Sequence, residues 1–172
     1  LTTIRLESFR GLEDAEEWEE LVMTVGSGAG ATVIKPNMVK AVEAKNPRPE
    51  IKYEAADGSH IPNMGENTFA AFTDGGVLRS MTAQVTEVNK ALFSVAKLVS
   101  TGHRAVVDPE LSYIEQCQTG GWFPLEENNG KFALRLWAHK DQRSLFRVAG
   151  SVRAVRPPEA APNRGESAGQ EG

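Results

Sequence analysis

The turn best suited to chemistry in this sequence lies at residues 26–30, where Gly26, Gly28 and Gly30 alternate with small residues. A glycine-rich turn after a strand binds phosphate when its backbone N–H groups converge on the anion, and such loops have G-x-G-x-x-G or G-x-x-x-x-G-K-[ST] spacing. The spacing here is G-x-G-x-G, and no alternation of strands and helices typical of dinucleotide-binding folds follows it. The pattern disfavours a phosphate site, and we expect no cofactor.

A serine nucleophile at Ser27 is disfavoured for a similar reason. The G-x-S-x-G elbow would need glycines at positions 25 and 29, where the sequence has Val25 and Ala29. No histidine is placed by the sequence to act as its base. Ser27 is therefore not predicted to be a nucleophile.

Metal and disulfide chemistry are also disfavoured. His60, His103 and His139 lie far apart in the sequence, and none has a Cys or His partner at ligand spacing, so we predict no metal site. Cys117 is the single cysteine, which excludes an intramolecular disulfide and favours an interior compartment that tolerates thiols. We expect an intracellular, most simply cytoplasmic, protein.

The sequence predicts a strand that leads into the glycine turn. From Trp18 onward, Leu21, Met23 and Val25 alternate with Val22 and Thr24, which predicts a β-strand that runs into Gly26. After the turn, "ATVIKPNMVKAVEA" predicts a short strand followed by a helical turn. The pairs Asp57-Gly58 and Gly75-Gly76 predict two β-hairpins, and "MTAQVTEV" predicts a further strand.

One short helix is expected in "NKALFSVAKLVSTG". Leu92, Val95, Ala96 and Val99 have helical spacing, and Gly102 stands where a helix would end. The segments "HRAVVD", "SYIEQC" and "KFALRLWA" then predict strands, with turns at "DPEL", "TGG" and "ENNG" between and beside them.

The composition fits one globular domain with polar ends. The chain has 172 residues and is 40% hydrophobic, and its net charge of −4 disfavours a role in coating nucleic acid or an anionic membrane. No apolar run reaches the roughly 20 residues of a membrane helix, so no membrane partner is expected. The start at Leu1 indicates a piece of a longer reading frame.

The chain divides into three predicted regions. Residues 1–17 form an acidic flank, residues 18–140 the folded domain, and residues 141–172 a basic, then low-complexity tail. Between Lys140 and Arg164 there are six Lys or Arg against two acids, which favours a linker over a nucleic-acid contact. Residues 156–172 contain no large apolar side chain and are predicted to be disordered.

Several segments together resemble a known family. "TVGSGA", residues 24–29, resembles the hydrophobic-hydrophobic-Asp-[Ser/Thr]-Gly-Ala motif of aspartic proteases, with Gly26 at the position of the aspartate. Further along, the chain resembles the retropepsin-like protease region of Copia-type LTR-retrotransposon polyproteins, in order and rough spacing from Trp18 to Trp137. The matching positions are Asp57, Gly58, Ile61 and Gly65; Val88, Asn89, residues 91–98, Gly102, Val106 and Val107; and Ile114, Thr119 and Gly120.

The resemblance implies a mainly β, closed-barrel fold with one short helix and an extended polypeptide as substrate. It assigns Asp57, Gly58, Ile61 and Gly65 to a substrate flap, and Ser94 to a position that resembles a family glycine. It further implies a homodimer in which each subunit supplies one aspartate, and the two carboxylates share a proton and activate a water.

Gly26 has no side chain for this chemistry, so the resemblance implies an inactive enzyme. Ser27 would bond the absent carboxylate or the partner loop, Gly28 would permit close backbone approach, and Ala29 completes the motif. Asp57, Asp74 and Asp108 are each explained by turn chemistry and are not expected to substitute for the missing acid.

Two alternatives stay open from the sequence. The same scaffold could be a non-enzymatic module that binds an extended peptide or dimerises with an intact copy. The chain could also be a generic β-rich domain without protease ancestry. Gly26 itself fits a decayed genomic copy, a deliberate inactivation or a pseudoenzyme retained for binding, and the irregular tail favours decay.

Overall fold

The computed structural model describes residues 17–74 and 76–143. The described strands are β1 (Trp18–Gly26), β2 (Val33–Ile34), β3 (Lys52–Glu54), β4 (His60–Pro62), β5 (Gly65–Thr73), β6 (Leu78–Val85), β7 (Leu92–Ser94), β8 (His103–Val106), β9 (Tyr113–Gln116), β10 (Trp122–Pro124), β11 (Glu126–Asn128) and β12 (Lys131–His139). A short helix, α1 (Val95–Ser100), follows β7 directly. The predicted mainly β class is confirmed, whereas the predicted acidic flank up to residue 16 and the tail from residue 144 lie outside the described residues.

β1 has the alternating pattern that the sequence predicted. Leu21 and Met23 are buried, whereas Val22 between them is 44% exposed. Successive side chains of a strand point to opposite faces, so one face of β1 enters the core and the other meets solvent. The strand ends at Gly26, as expected.

The main sheet has seven strands in the order β1-β7-β2-β6-β5-β12-β11. β12 also pairs with β1, antiparallel, from Trp18 opposite His139 to Thr24 opposite Ala133. The pairings therefore lead from β1 through β7, β2, β6, β5 and β12 and back to β1. β8, β9 and β10 form a separate three-stranded sheet, and β3 pairs with β4 alone.

Both predicted hairpins form. β3 and β4 are joined through Asp57-Gly58, and Gly58 has a φ of +82°, a value that glycine adopts without steric cost. β5 and β6 pair over eight positions from Gly65 opposite Val85 to Phe72 opposite Leu78. Gly76 in the connection of β5 to β6 has a φ of +77°, and Gly75 is not described.

The segment after β2 contains the predicted short strand, Val33 and Ile34. Two hydrogen-bonded turns, Lys35–Met38 and Val39–Val42, follow it in the place of the single predicted helical turn. Pro36 and Asn37 occupy the centre of the first turn, and the φ of +59° at Asn37 is that of a type II turn. Proline followed by a left-handed residue stops a helix from starting there.

The predicted helical face of α1 was wrong. Leu92 belongs to β7, and Val99 is 58% exposed, whereas Leu98 is the buried residue of the helix. The helix is shorter than the periodic pattern because β7 uses the preceding residues for pairing with β1 and β2. Its end is as predicted, since Gly102 follows the C-cap with a φ of +78°.

The core lies between the main sheet, α1 and the three-stranded sheet. Its buried apolar residues include Met23, Ile34, Phe69, Leu98, Ile114, Phe123, Leu134 and Leu136. They come from all of these elements, so one hydrophobic cluster joins both sheets and the helix. Ala70 and Phe72 form a smaller, separate cluster with Trp18, Leu78 and Trp137. Packing continues past Lys140, because the Gln142 side chain bonds both backbone groups of Ala70, at 2.7 and 3.2 Å.

No helix among the described residues is both long and apolar enough to cross a membrane.

We predict that Met23→Ala lowers the free energy of unfolding by about 2–5 kcal/mol, because Met23 is fully buried and truncation leaves a cavity. Val22→Ala is the matched control on the same strand and should cost less than about 1 kcal/mol. Urea denaturation of the two variants measures the difference. Equal losses would contradict the inward placement of Met23.

Candidate functional site

The candidate site is the turn that leaves β1. Gly26, the last residue of β1, pairs in parallel with Ser94 of β7, and Val25 pairs with Phe93. The turn is closed by a weak hydrogen bond, 3.4 Å long, from the Ala29 N–H to the Gly26 carbonyl. The sequence motif at residues 26–29 is therefore held at the end of a strand against the start of α1.

Hydrogen bonds of Ser94 hold this turn in place. Its side chain is fully buried, and its Oγ donates to the Ala29 carbonyl at 2.5 Å. The same Oγ accepts from the Lys97 N–H at 3.2 Å and so caps α1. The Ser94 N–H donates to Thr32 Oγ1 at 3.1 Å, which ties the far end of the loop to the same residue.

The backbone at Gly26 does not require a glycine. Its φ lies outside the left-handed region, since it is not among the residues with positive φ. A Cβ built at Gly26 would meet, within 4 Å in the described part of the chain, only the Ala29 Cβ at 3.3 Å and the Ala29 nitrogen at 3.9 Å. A side chain at this position would need a shift of a few tenths of an ångström and would otherwise extend into open space.

Ser27 and Gly28 project away from the domain. Ser27 is exposed, and its hydroxyl has no hydrogen-bond partner among the described residues. A Cβ at Gly28 would meet nothing within 4 Å of the described chain. Any close approach at Gly28 would therefore involve a second molecule.

The β3–β4 hairpin carries three of the four predicted flap residues. Asp57 and Gly58 form its tip, and Ile61 lies in β4 opposite Tyr53. Asp57 accepts hydrogen bonds from the Ser59 Oγ at 2.6 Å and the Ser59 N–H at 2.9 Å, and these bonds hold the pKa of the Asp57 carboxyl below its usual value. Asp57 thus stabilises the turn.

No hydrogen bond joins this hairpin to residues 26–29 within residues 17–74 and 76–143. The hairpin is anchored instead to the opposite hairpin by Asn63, a buried residue that the sequence analysis missed. Asn63 Nδ2 donates to Tyr53 Oη at 3.0 Å and to Gln84 Oε1 at 2.8 Å. Its Oδ1 accepts from the N–H groups of Arg48 and Gly65.

Gly65, the fourth predicted flap residue, lies at the start of β5 instead. Its φ is +128°, and a Cβ there would lie 2.7 Å from the Lys45 carbonyl oxygen and 3.1 Å from the Ala44 Cβ. The glycine allows residues 44 and 45 to lie close beside the strand, where Lys45 forms an antiparallel bridge with Glu66 of β5. Its role in the structure is close backbone packing.

The remaining acids singled out in the sequence have structural partners. Asp74 is buried in the turn after β5 and accepts from the Trp137 indole N–H at 3.1 Å. Asp108 accepts from the Glu110 N–H at 2.9 Å in the turn before β9. Neither lies within 4 Å of the position that a Gly26 Cβ would take.

The histidines do not assemble a metal centre within the part of the chain that the structure describes, and Cys117 is exposed there with a free thiol. His139 is buried, and its Nε2 lies 3.1 Å from Glu17 Oε2. The sequence offered no signal for Thr32 or Asn63, since each is a common polar residue whose role arises from contacts distant in the chain. For Ser94 it offered only the resemblance to a family glycine position.

Comparisons of the chain with models of protein families, with curated proteins and with solved structures found no match.

We predict that Ser94→Ala lowers the free energy of unfolding by about 2–3 kcal/mol, because it removes a helix cap and leaves the buried Ala29 carbonyl without its donor. Ser100→Ala is the control, since the Ser100 hydroxyl bonds only the exposed Lys97 carbonyl and should cost less than about 0.5 kcal/mol. Urea denaturation compares them. The assignment of Ser94 fails if the two serines cost the same.

Gly65→Ala should destabilise the fold more than Gly58→Ala. Both glycines have positive φ, which costs alanine about 1–2 kcal/mol, but only Gly65 has backbone atoms in the space that a Cβ needs. Overpacking should add about 1–3 kcal/mol for Gly65→Ala. Thermal unfolding of both variants tests this, and a Gly58→Ala variant as unstable as Gly65→Ala would refute it.

Proposed function

We propose that this chain is a retropepsin-like aspartic protease domain of a Copia-type retrotransposon polyprotein, catalytically inactive because Gly26 replaces the catalytic aspartate. The observation that carries the proposal is the geometry of Gly26. It ends a core strand, its φ is outside the left-handed region, and the space beyond its Cα is open apart from Ala29. A glycine without a conformational reason, at the motif position of an acid, is what loss of a catalytic side chain would leave.

The strand pairings support a closed barrel. The connections from β1 through β7, β2, β6, β5 and β12 return to β1, so each of these six strands has a neighbour on both sides. Closure removes free sheet edges, and a closed β-barrel with a short helix is the fold that the resemblance implies. The helix α1 begins at the residue after Ser94, in the segment that the resemblance assigns to it.

The order of elements also supports the proposal. The strand into Gly26 comes first, the β3–β4 hairpin with Asp57-Gly58 at its tip follows, and β7 with α1 comes later and packs beside the turn. The proposed flap comprises β3 and β4, with Asp57, Gly58 and Ile61. Gly65 lies just beyond it and is given a packing role instead.

The chemistry explains the expected inactivity. In the proposed homodimer each turn would supply one carboxylate, and the pair would share a proton, hold one water and act as base and acid in turn. Gly26 supplies no carboxylate to either subunit. The Ser27 hydroxyl is exposed and has no partner among the described residues, which leaves it available to a restored carboxylate or to the second subunit.

We predict that Gly26→Asp restores peptide cleavage at mildly acidic pH in the full chain, whereas Gly26→Asn, of the same size, does not. Loss of a positioned acid–base group costs about 10²–10⁴ in rate, so the aspartate variant should exceed the asparagine variant by at least about 10². The measurement is cleavage of a peptide library, with and without an inhibitor of aspartic proteases. Inhibition must abolish the restored activity.

A second variant, Ala29→Gly, covers the case in which the contact with Ala29 prevents Gly26→Asp from folding. If Gly26→Asp unfolds, Ala29→Gly in the same chain relieves the 3.3 Å contact and allows the test to proceed. Sedimentation and circular dichroism show whether each variant folds and dimerises. A folded, dimeric aspartate variant that cleaves no faster than Gly26→Asn overturns the proposal.

The second candidate function is a non-enzymatic module that binds an extended peptide. The observation in its favour is that, in the described part of the chain, β3 and β4 pair only with each other, so each has an edge on which a peptide could form a further strand. The expected result is saturable binding of a peptide by the unchanged protein without cleavage. N-methylation of alternate peptide amides, which removes the ladder hydrogen bonds, should abolish this binding, and undiminished binding would exclude strand addition.

A further inference from the structure

A cavity of about 170 Å³ lies between β6, α1 and β12, and its lining residues do not include the candidate turn at residues 26–29. Its apolar wall comes from strands and helix together, and consists of Met81, Phe93, Leu98, Phe123, Leu134 and Leu136. An engineered apolar cavity of about 150 Å³ is large enough to bind benzene, so this cavity is large enough for one aromatic ring or a short aliphatic chain.

The ionisable residues that line the cavity are all basic. They are Arg79, Lys97 and His103. No Asp or Glu of the described residues lines the cavity, although acids outnumber Lys and Arg in the whole sequence by 23 to 19. Within residues 17–74 and 76–143, none of these three side chains forms an ion pair with a carboxylate. The cavity therefore combines an apolar interior with uncompensated positive charge.

Of these three residues, Arg79 has the most unusual environment. It shares the inward face of β6 with Met81, Ala83 and Val85, which alternate along the strand and pack in the core. Its Nε is buried without a hydrogen-bond partner in the described part of the chain, and its Nη1 donates only to the neighbouring Leu78 carbonyl at 3.2 Å.

Desolvation lowers the pKa of the Arg79 guanidinium, because no nearby acid offsets its burial. A buried cationic donor without an acceptor is costly, and native structures generally satisfy such a group with a partner, water or a ligand. The free donor stands beside an apolar cavity, so an occupant that presents both an acceptor and an apolar body would satisfy both.

We propose that this cavity is a binding site for a small organic carboxylate, with an apolar group the size of a benzene ring against the core residues and its carboxylate on Arg79. Lys97 of α1 supplies a further positive charge at the lining. Arginine favours carboxylates because its planar fork donates two parallel hydrogen bonds. The site uses no residue of the turn at 26–29, so it stands independently of the proposed protease ancestry.

Benzoate is the probe, and benzamide, which has the same shape without the charge, is its neutral match. The full chain should bind benzoate saturably, with amide chemical-shift changes centred on β6 and α1, and should bind benzamide and acetate at least about tenfold more weakly. One charge-assisted hydrogen bond is worth about this factor. Acetate tests whether the apolar group is needed.

Arg79→Met keeps the apolar stem and removes the charge, and it should weaken benzoate binding by at least about tenfold. Lys131→Met removes an exposed charge from β12 outside the cavity and should leave the affinity unchanged. Should Arg79→Met fail to fold, Lys97→Met provides a variant on the exposed side of α1, with a smaller expected loss. Equal affinity for benzoate and benzamide, shift changes elsewhere, or no binding by the unchanged chain would overturn the proposal.

Discussion

The buried hydroxyl of Ser94 is the contact on which the arrangement of the candidate site depends. It joins the turn after β1, through Ala29, to the first turn of α1, through Lys97. The backbone of the same residue continues the parallel pairing of β1 with β7 and reaches the loop before β2 at Thr32. Because a buried hydroxyl must satisfy both its donor and its acceptor capacity, these elements are fixed relative to one another.

The pairing of β1 with β12 is the second constraint, and it connects the two ends of the described chain. Trp18 lies opposite His139 in register, and their rings meet edge to face at 4.9 Å. The Lys140 N–H donates to the Glu17 carbonyl at 2.8 Å, and Arg135 of β12 forms ion pairs with Glu20 of β1 and Glu126 of β11. The strand into the candidate turn is thus held on both sides, by β7 and by β12, and can present residue 26 in one position.

The scaffold of the candidate turn is in place, but residue 26 lacks a side chain for chemistry. The turn, its anchoring serine and the adjacent helix are all in place, yet residue 26 offers no atom beyond its Cα. Acid–base catalysis needs a titratable group at the reacting atoms, and backbone order does not replace it. The proposed inactive protease and the proposed carboxylate site are separate properties of one fold, since no residue of the turn at 26–29 lines the cavity that Arg79 borders.

The sequence by itself determined the local elements: the strand into Gly26 by its alternation, the hairpins by Asp57-Gly58 and the glycine pair at 75–76, and the end of α1 by Gly102. These features follow from period and turn chemistry, which act over a few residues. The tertiary structure decided the rest. Leu92 is part of a strand because it pairs with residues of β1 and β2. Ser94 and Asn63 form hydrogen bonds with partners up to 65 residues away in the sequence, and Arg79 lies on the core side of β6 beside a cavity. Such roles depend on which distant atoms surround a side chain, and packing sets these only once the strands are paired.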